Sequence, residues 1–129
     1  MKRDEARIIV LEEIEKRAAL LKKEVLTVRE YAALCRHNKT SIYRAIERHE
    51  LIASVREGDE KEVLYLLLSF RRNLIYLYEA FQSEMGKLKA WDGQRKDGSI
   101  IYNKNYLYFQ SQLEQPVKAM IRNIPMGNL

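Results

Sequence analysis

The chain has 129 residues, of which 47% are hydrophobic and 32% charged. That is enough apolar material for one core and too much for a disordered chain. It has 23 Lys and Arg against 18 Asp and Glu, a formal net charge of +5. So small an excess does not establish an acidic partner, and the placement of the charge has to decide. One cysteine and two histidines argue against a disulfide framework and a structural zinc site. The longest apolar run, Val63-Leu64-Tyr65-Leu66-Leu67-Leu68, is far too short to span a membrane. The start, Met-Lys-Arg-Asp-Glu, lacks the apolar stretch of a secretory signal. The expectation is a mainly helical cytoplasmic protein.

Residues 4–24 read as an amphipathic helix. Ile8, Leu11, Ile14, Ala18 and Leu21 recur at spacings of three or four, while Glu12, Glu13, Glu15, Lys16, Arg17, Lys22 and Lys23 are assigned to a solvated face. Thr27-Val28-Arg29-Glu30 has the spacing of a capping box, in which hydroxyl and carboxylate satisfy each other's backbone N–H. A short helix from Val28 to about Cys35 follows, with Cys35 as a small buried hydrophobe. Asn38 can cap a second helix, Lys39 to His49, whose inward face is Ile42, Ala45 and Ile46. Ile52 to Arg56 and Lys61 to Leu66 then read as a hairpin turning at Gly58-Asp59. A helix from about Leu67 to Trp91 follows, with Phe70, Leu74, Leu77, Phe81, Met85 and Leu88 on one stripe. Residues 92–98 read as a loop. Tyr102, Tyr106, Phe109 and Leu113 share a helical face, and Pro116 can begin a further short helix.

Two short helices across a tight turn, followed by a hairpin, predict a winged helix-turn-helix. The fold class is therefore mainly α, with a small β-hairpin wing, an N-terminal helix and a long C-terminal helix. Residues 1–66 would hold the N-terminal helix and the winged unit, and 67–129 the long helix and tail. The first helix of the pair braces the second, which offers its outer face to the DNA major groove. That face would carry Lys39, Thr40, Tyr43, Arg44 and Glu47, with Arg48 at its edge. Arg44 suits a two-bonded contact with a guanine edge. Thr40 and Ser41 suit a phosphate at the helix start. Arg36, Lys39 and Arg48 suit phosphates, and Tyr43 a thymine methyl or a phosphate. Between residues 36 and 48 there are four basic residues and one acid, although 25–66 as a whole is neutral.

Leu26-Thr27-Val28-Arg29-Glu30-Tyr31-Ala32-Ala33-Leu34, then Asn38-Lys39-Thr40-Ser41-Ile42-Tyr43-Arg44-Ala45-Ile46, resembles the excisionase/MerR-like helix-turn-helix domains over residues 25–66. The resemblance implies that the second helix reads DNA through Lys39, Thr40, Tyr43 and Arg44. It also implies that the hairpin near Gly58 touches backbone or minor groove. Two departures matter. The turn glycine is replaced by Arg36, followed by His37, which predicts a wider turn because a left-handed Arg costs about 1 kcal/mol relative to Gly. The wing sequence Glu57-Gly58-Asp59-Glu60-Lys61-Glu62 is acidic, which leaves Arg56 and Lys61 as its only expected DNA contacts and offers a protein partner an alternative use for it.

No motif for catalysis is present, and no cofactor or metal is expected. The expected function is sequence-specific binding of double-stranded DNA. The candidates are a transcriptional regulator or a mobile-element control factor, such as an excisionase, segregation or replication protein, in a prokaryotic, phage or plasmid setting on the nucleoid. Because so long an apolar stripe exceeds what a small winged unit buries, a homodimer is expected through Phe70, Leu74, Leu77, Phe81, Met85 and Leu88. The alternatives are an assembly module like a phage terminase small subunit, and a winged protein-interaction module, with the tail as a second partner surface. Net charge by segment is +1 for 1–24, zero for 25–66 and +4 for 67–129. The excess therefore lies beyond the helix pair.

Overall fold

A computed structural model of the protein describes residues 3–55, 63–88, 90–125 and 127. In chain order the elements are α1 (Arg3–Leu21), β1 (Val25–Thr27), α2 (Val28–Cys35), α3 (Lys39–Glu47), β2 (Ala53–Val55), β3 (Leu64–Leu67), α4 (Arg71–Lys87), β4 (Trp91–Gln94), β5 (Ile100–Tyr102), α5 (Lys104–Phe109) and α6 (Gln115–Asn123), with a π-helical turn at Gln110–Glu114 between the last two. The chain is mainly helical, with two small antiparallel sheets.

The first sheet has the order β1-β3-β2. Ala53 pairs with Leu66 and Val55 with Leu64 across β2–β3, while Val25 pairs with Leu67 across β1–β3. The sequence pattern did not mark β1, because three residues carry no usable periodicity and its partner lies some 40 residues on. The expected turn at Gly58-Asp59 lies outside the described residues.

Asn73, fully buried in the first turn of α4, fastens this sheet to the helices. Its Nδ2 donates to the carbonyls of Ile52 (2.9 Å) and Leu67 (3.0 Å), and its Oδ1 accepts from the Ile52 N–H (2.8 Å). Its own carbonyl accepts from the Tyr31 hydroxyl of α2 at 2.7 Å. One side chain, itself fully buried, thus satisfies backbone groups where β2 begins and β3 ends.

The helix expected from Leu67 to Trp91 is shorter at both ends. Leu67 is still in β3, Phe70 is an extended N-cap, and the helix spans 17 residues. At the other end Leu88 is extended (ψ 141°), and the expected loop is instead a hairpin. Gly98 N–H donates to the Arg95 carbonyl (3.0 Å) and Arg95 N–H to the Ser99 carbonyl (2.7 Å), with Gly98 at φ 92°. A side chain at Gly98 would be strained in that conformation, so Asp97-Gly98 fixes this turn.

The apolar stripe of α4 is enclosed by the chain itself. Leu74, Leu77, Phe81 and Met85 join Ile14, Leu34, Phe109, Leu113 and Val117 in one core. Phe81 and Phe109 meet edge to face at 5.4 Å. The expected seam for a second copy is therefore occupied: Leu74, Leu77, Phe81 and Met85 are buried, and Phe70 and Leu88 are partly buried. The physical reason is the C-terminal segment, which continues helical from Lys104 to Asn123 and lays its own stripe on α1 and α4. Pro116 stands in the first turn of α6, as expected, and α6 runs on from the π-helical turn without a break. The proline has no N–H for the Gln112 carbonyl and its ring would press on it. The backbone widens instead, and Gln115 N–H reaches five residues back to Gln110. The boundary expected at 66/67 falls inside β3, and both sides of it feed the same core.

Arg17, expected on a solvated face, is 4% exposed. Nε and Nη2 donate to the Leu34 carbonyl (3.1 and 2.8 Å), and Nη1 and Nη2 donate to the Glu84 carboxylate (2.8 and 3.0 Å). Its guanidinium carbon lies 5.4 and 5.3 Å from the ring centres of Phe81 and Phe109. The Leu34 carbonyl, at the end of α2, lacks the intrahelical partner that mid-helix carbonyls have. Arg17 supplies it and ties α1, α2, α4 and α5 together.

Candidate nucleic-acid interface

The helix pair α2–α3 is set by local chemistry that the sequence displays. Thr27 Oγ1 accepts from Glu30 N–H, and Glu30 Oε1 accepts from Thr27 N–H, each at 3.1 Å. A salt bridge from Lys23 and the bond from the Thr27 backbone hold the Glu30 carboxyl below its usual range. Three residues separate the helices. Arg36 takes the left-handed conformation itself (φ 57°, ψ 38°), while His37 N–H bonds Ala32 O at 2.9 Å and Arg36 N–H bonds Ala33 O at 3.2 Å. The turn is therefore as tight as a glycine would make it, not wider. The backbone bonds that cap α2 and an ion pair from Arg36 Nε to Glu13 (3.2 Å) accompany that strain. Asn38 caps α3, its Oδ1 accepting from Ser41 N–H (2.8 Å) and Ser41 Oγ (3.0 Å).

On α3, Ile42 and Ala45 are buried against α2. Lys39, Thr40, Tyr43, Arg44, Glu47 and Arg48 are exposed, and at about 100° per residue they occupy roughly one half of the circumference. Tyr43 keeps 46% of its surface open. Behind this face Arg36, Ser41, Arg44 and Arg48 line one concave surface together with His37, Asn38, Glu50 and Tyr76. Ser41 is engaged in the cap and Arg36 with Glu13, so Lys39, Thr40, Tyr43, Arg44 and Arg48 are the expected site residues without such ties. Arg56 and Lys61 lie outside the described residues.

Tyr76 and Arg72, both from α4, were not foreseen as neighbours of this face. Tyr76 Oη lies 3.4 Å from His37 Nδ1, with the two rings edge to face at 6.0 Å. Burial pushes the Tyr76 phenol up, so it stays protonated and able to donate. Arg72 Nη1 donates to the carbonyl of His49 (2.9 Å), where a second left-handed residue (φ 61°) ends α3. Only spacing along α4 could have flagged them: Arg72 and Tyr76 are one turn apart on one face. Cys35 is 2% exposed, and burial pushes its thiol up to about 12; it is a packing group, not a nucleophile.

Among the described residues there is no group of three or more His, Cys, Asp or Glu that could hold a metal ion, and no helix is long and apolar enough to cross a membrane. No protein-family model, no curated protein and no solved structure matches the chain.

Proposed function

We propose that the protein binds double-stranded DNA sequence-specifically, with α2–turn–α3 as a helix-turn-helix and β2–β3 as its wing, in the manner of the excisionase/MerR-like domains it resembles. The observation that carries this reading is the outward face of α3. It is open along its length, holds three cations against one acid, and stands opposite a buried face that fixes its orientation. In this reading Arg44 donates to a guanine edge and Glu47 accepts from a cytosine amino group. Lys39 and Arg48 sit on phosphates, and Thr40 and Tyr43 supply further contacts. The protein then acts as a binding protein and not an enzyme, in transcriptional control or in control of a mobile element. Because the chain itself covers the α4 stripe, pairing of two copies on DNA would not use that stripe.

The test is selection of bound fragments from a random duplex pool, followed by titration at several salt concentrations. The expected result is an enriched motif, with affinity that falls steeply with salt. Arg44→Ala should weaken binding by about 1–3 kcal/mol and relax preference at one position. A pool without enrichment, or Arg44→Ala with unchanged affinity and motif, would overturn the assignment. Symmetry of the motif, read beside light scattering, reports whether copies pair.

A further inference from the structure

We propose that the β4–β5 hairpin is a second DNA-contacting element beside α3, its tip seated on phosphates and its aromatic face on the minor groove of the same duplex. The proposal rests on the DNA-binding reading above and extends it to a part of the chain that the family resemblance does not cover.

Four observations converge on the hairpin. The first is its open apolar face. Trp91 pairs with Tyr102 and Gln94 with Ile100, so Trp91, Tyr102 and Ile100 share one face of the ribbon. They are 51%, 56% and 45% exposed. A two-stranded ribbon alone in water is marginal, so a face of this kind calls for something to lie on it. The second is charge. From residue 87 to 104 the chain has five basic residues and two acids. Asp97, one of those acids, is turned onto the Ser99 N–H (3.0 Å) and hydroxyl (2.7 Å) within the tip. Arg95 and Lys96 stand exposed at that tip. A basic tip beside an aromatic face is complementary to phosphates and to sugars or base edges, where apolar wedges act in minor-groove binders, and it is a poor match for an equally basic second copy. The third is rigidity. The turn is closed by Gly98 to Arg95 and Arg95 to Ser99 backbone bonds, and by Gln94 Nε2 to the Gly98 carbonyl (2.8 Å). The tip is therefore pre-organised, and little ordering entropy is lost on docking. The fourth is position. Lys87 shares a recess with Cys35, Arg36 and His37 of the α2–α3 turn. Trp91 is four residues further on, within about 14 Å of chain. The hairpin springs from the end of α4 that borders the α2–α3 turn, just ahead of α3.

The experiment uses the full chain and a duplex selected on the wild-type protein. Trp91 is the one tryptophan, so its emission reports on the hairpin directly. Titration with duplex should quench it. Arg95→Ala with Lys96→Ala, at exposed positions, should leave the melting curve in place, weaken binding about tenfold or more at low salt, and reduce the log–log salt slope by about two. Trp91→Ala is expected to shorten the protected region on one side in a hydroxyl-radical footprint while leaving the α3 half intact. An unchanged slope and affinity in the double variant, or unchanged Trp91 emission at saturation, would overturn the proposal while leaving the α3 reading standing if Arg44→Ala still relaxes the motif. Emission that shifts with protein concentration in the absence of DNA, together with dimers in sedimentation, would overturn it in favour of a second copy on the aromatic face. Wild-type protein that binds no duplex would overturn both readings together.

Discussion

Replacing Glu84 with Gln removes one negative charge and almost no volume, and it should be among the most damaging single changes available in the protein. Arg17 makes four hydrogen bonds, two to Glu84 and two to the Leu34 carbonyl, with Phe81 and Phe109 about its guanidinium. Removing one partner of a buried ion pair typically costs about 3–5 kcal/mol, because the other charge stays in a poor solvent. Glu84 keeps 18% of its side chain exposed, so water can partly replace it, and the lower end, about 3 kcal/mol, is expected. That corresponds to a fall in Tm of roughly 10 °C for a chain of this size. Arg17→Met should cost less than the sum of its lost bonds, since it keeps an apolar stem between the rings and orphans the Leu34 carbonyl, at about 1–3 kcal/mol. The double variant Arg17→Met with Glu84→Gln should lie near Arg17→Met alone, a coupling of about 3 kcal/mol, the whole cost of Glu84→Gln. Urea unfolding followed by circular dichroism measures all four proteins. If Glu84→Gln costs under about 1 kcal/mol, or if the two changes simply add, Arg17 is not held as a buried, paired cation and the reasoning fails.

Three further changes probe the helix pair. Arg36→Gly relieves a left-handed L-residue, worth about 1 kcal/mol, and loses an exposed ion pair worth a few tenths. A net gain of roughly 0.5 kcal/mol in urea is expected, and a loss would show that the Glu13 contact dominates. Glu30→Gln keeps the capping geometry but not the charge. The folded carboxyl titrates below its ordinary value, so its charge stabilises the fold at neutral pH and that contribution is lost as pH falls through the lowered value. The variant should be about 0.5 kcal/mol less stable at pH 7 after solvent screening, and the two proteins should converge in acid; a gap that persists at pH 2 would refute the linkage. Cys35, with its thiol pushed up to about 12 and its side chain enclosed, should resist thiol reagents at pH 8 in the native protein and react on unfolding. Rapid labelling without denaturant would contradict its burial.

The parts of the fold that could be read from the sequence are those fixed within a few residues. The Thr27–Glu30 box, the Asn38 cap and the inward Ile42 and Ala45 are contacts of range three or four, and the sequence spells them out. So is the outward face of α3, because helical period alone settles it once the buried face is known. Contacts made across the chain were not legible. β1 exists only because Leu67 lies beside Val25, and Asn73 is an ordinary polar residue until Ile52 and Leu67 turn up around it. The fate of the α4 stripe was ambiguous in principle, since an apolar face reads the same whether a second copy or Phe109, Leu113 and Val117 cover it. Two signals were present but outweighed. Arg17 falls between Ile14 and Leu21 at spacings of three and four, on the buried stripe, yet its charge placed it outside. Asp97-Gly98 is a turn signal, yet the polar residues of β4 do not look like a strand.

The contacts of α1 also set an order in time. Tyr108 donates to Glu15 across 93 residues of sequence, and Arg17 meets Glu84 across 67. A ribosome moving at about 5–20 residues per second needs roughly 5–20 s to make the chain between Glu15 and Tyr108. The side of α1 that carries Glu15 thus stays open until α5 is made. Until α4 is made, Arg17 lacks its Glu84 partner, and the backbone groups of Ile52 and Leu67 lack the Asn73 side chain that joins them. Synthesis that stalls anywhere before α5 would leave α3 attached to an unfinished core. The core around α1 therefore closes late in synthesis and in one step.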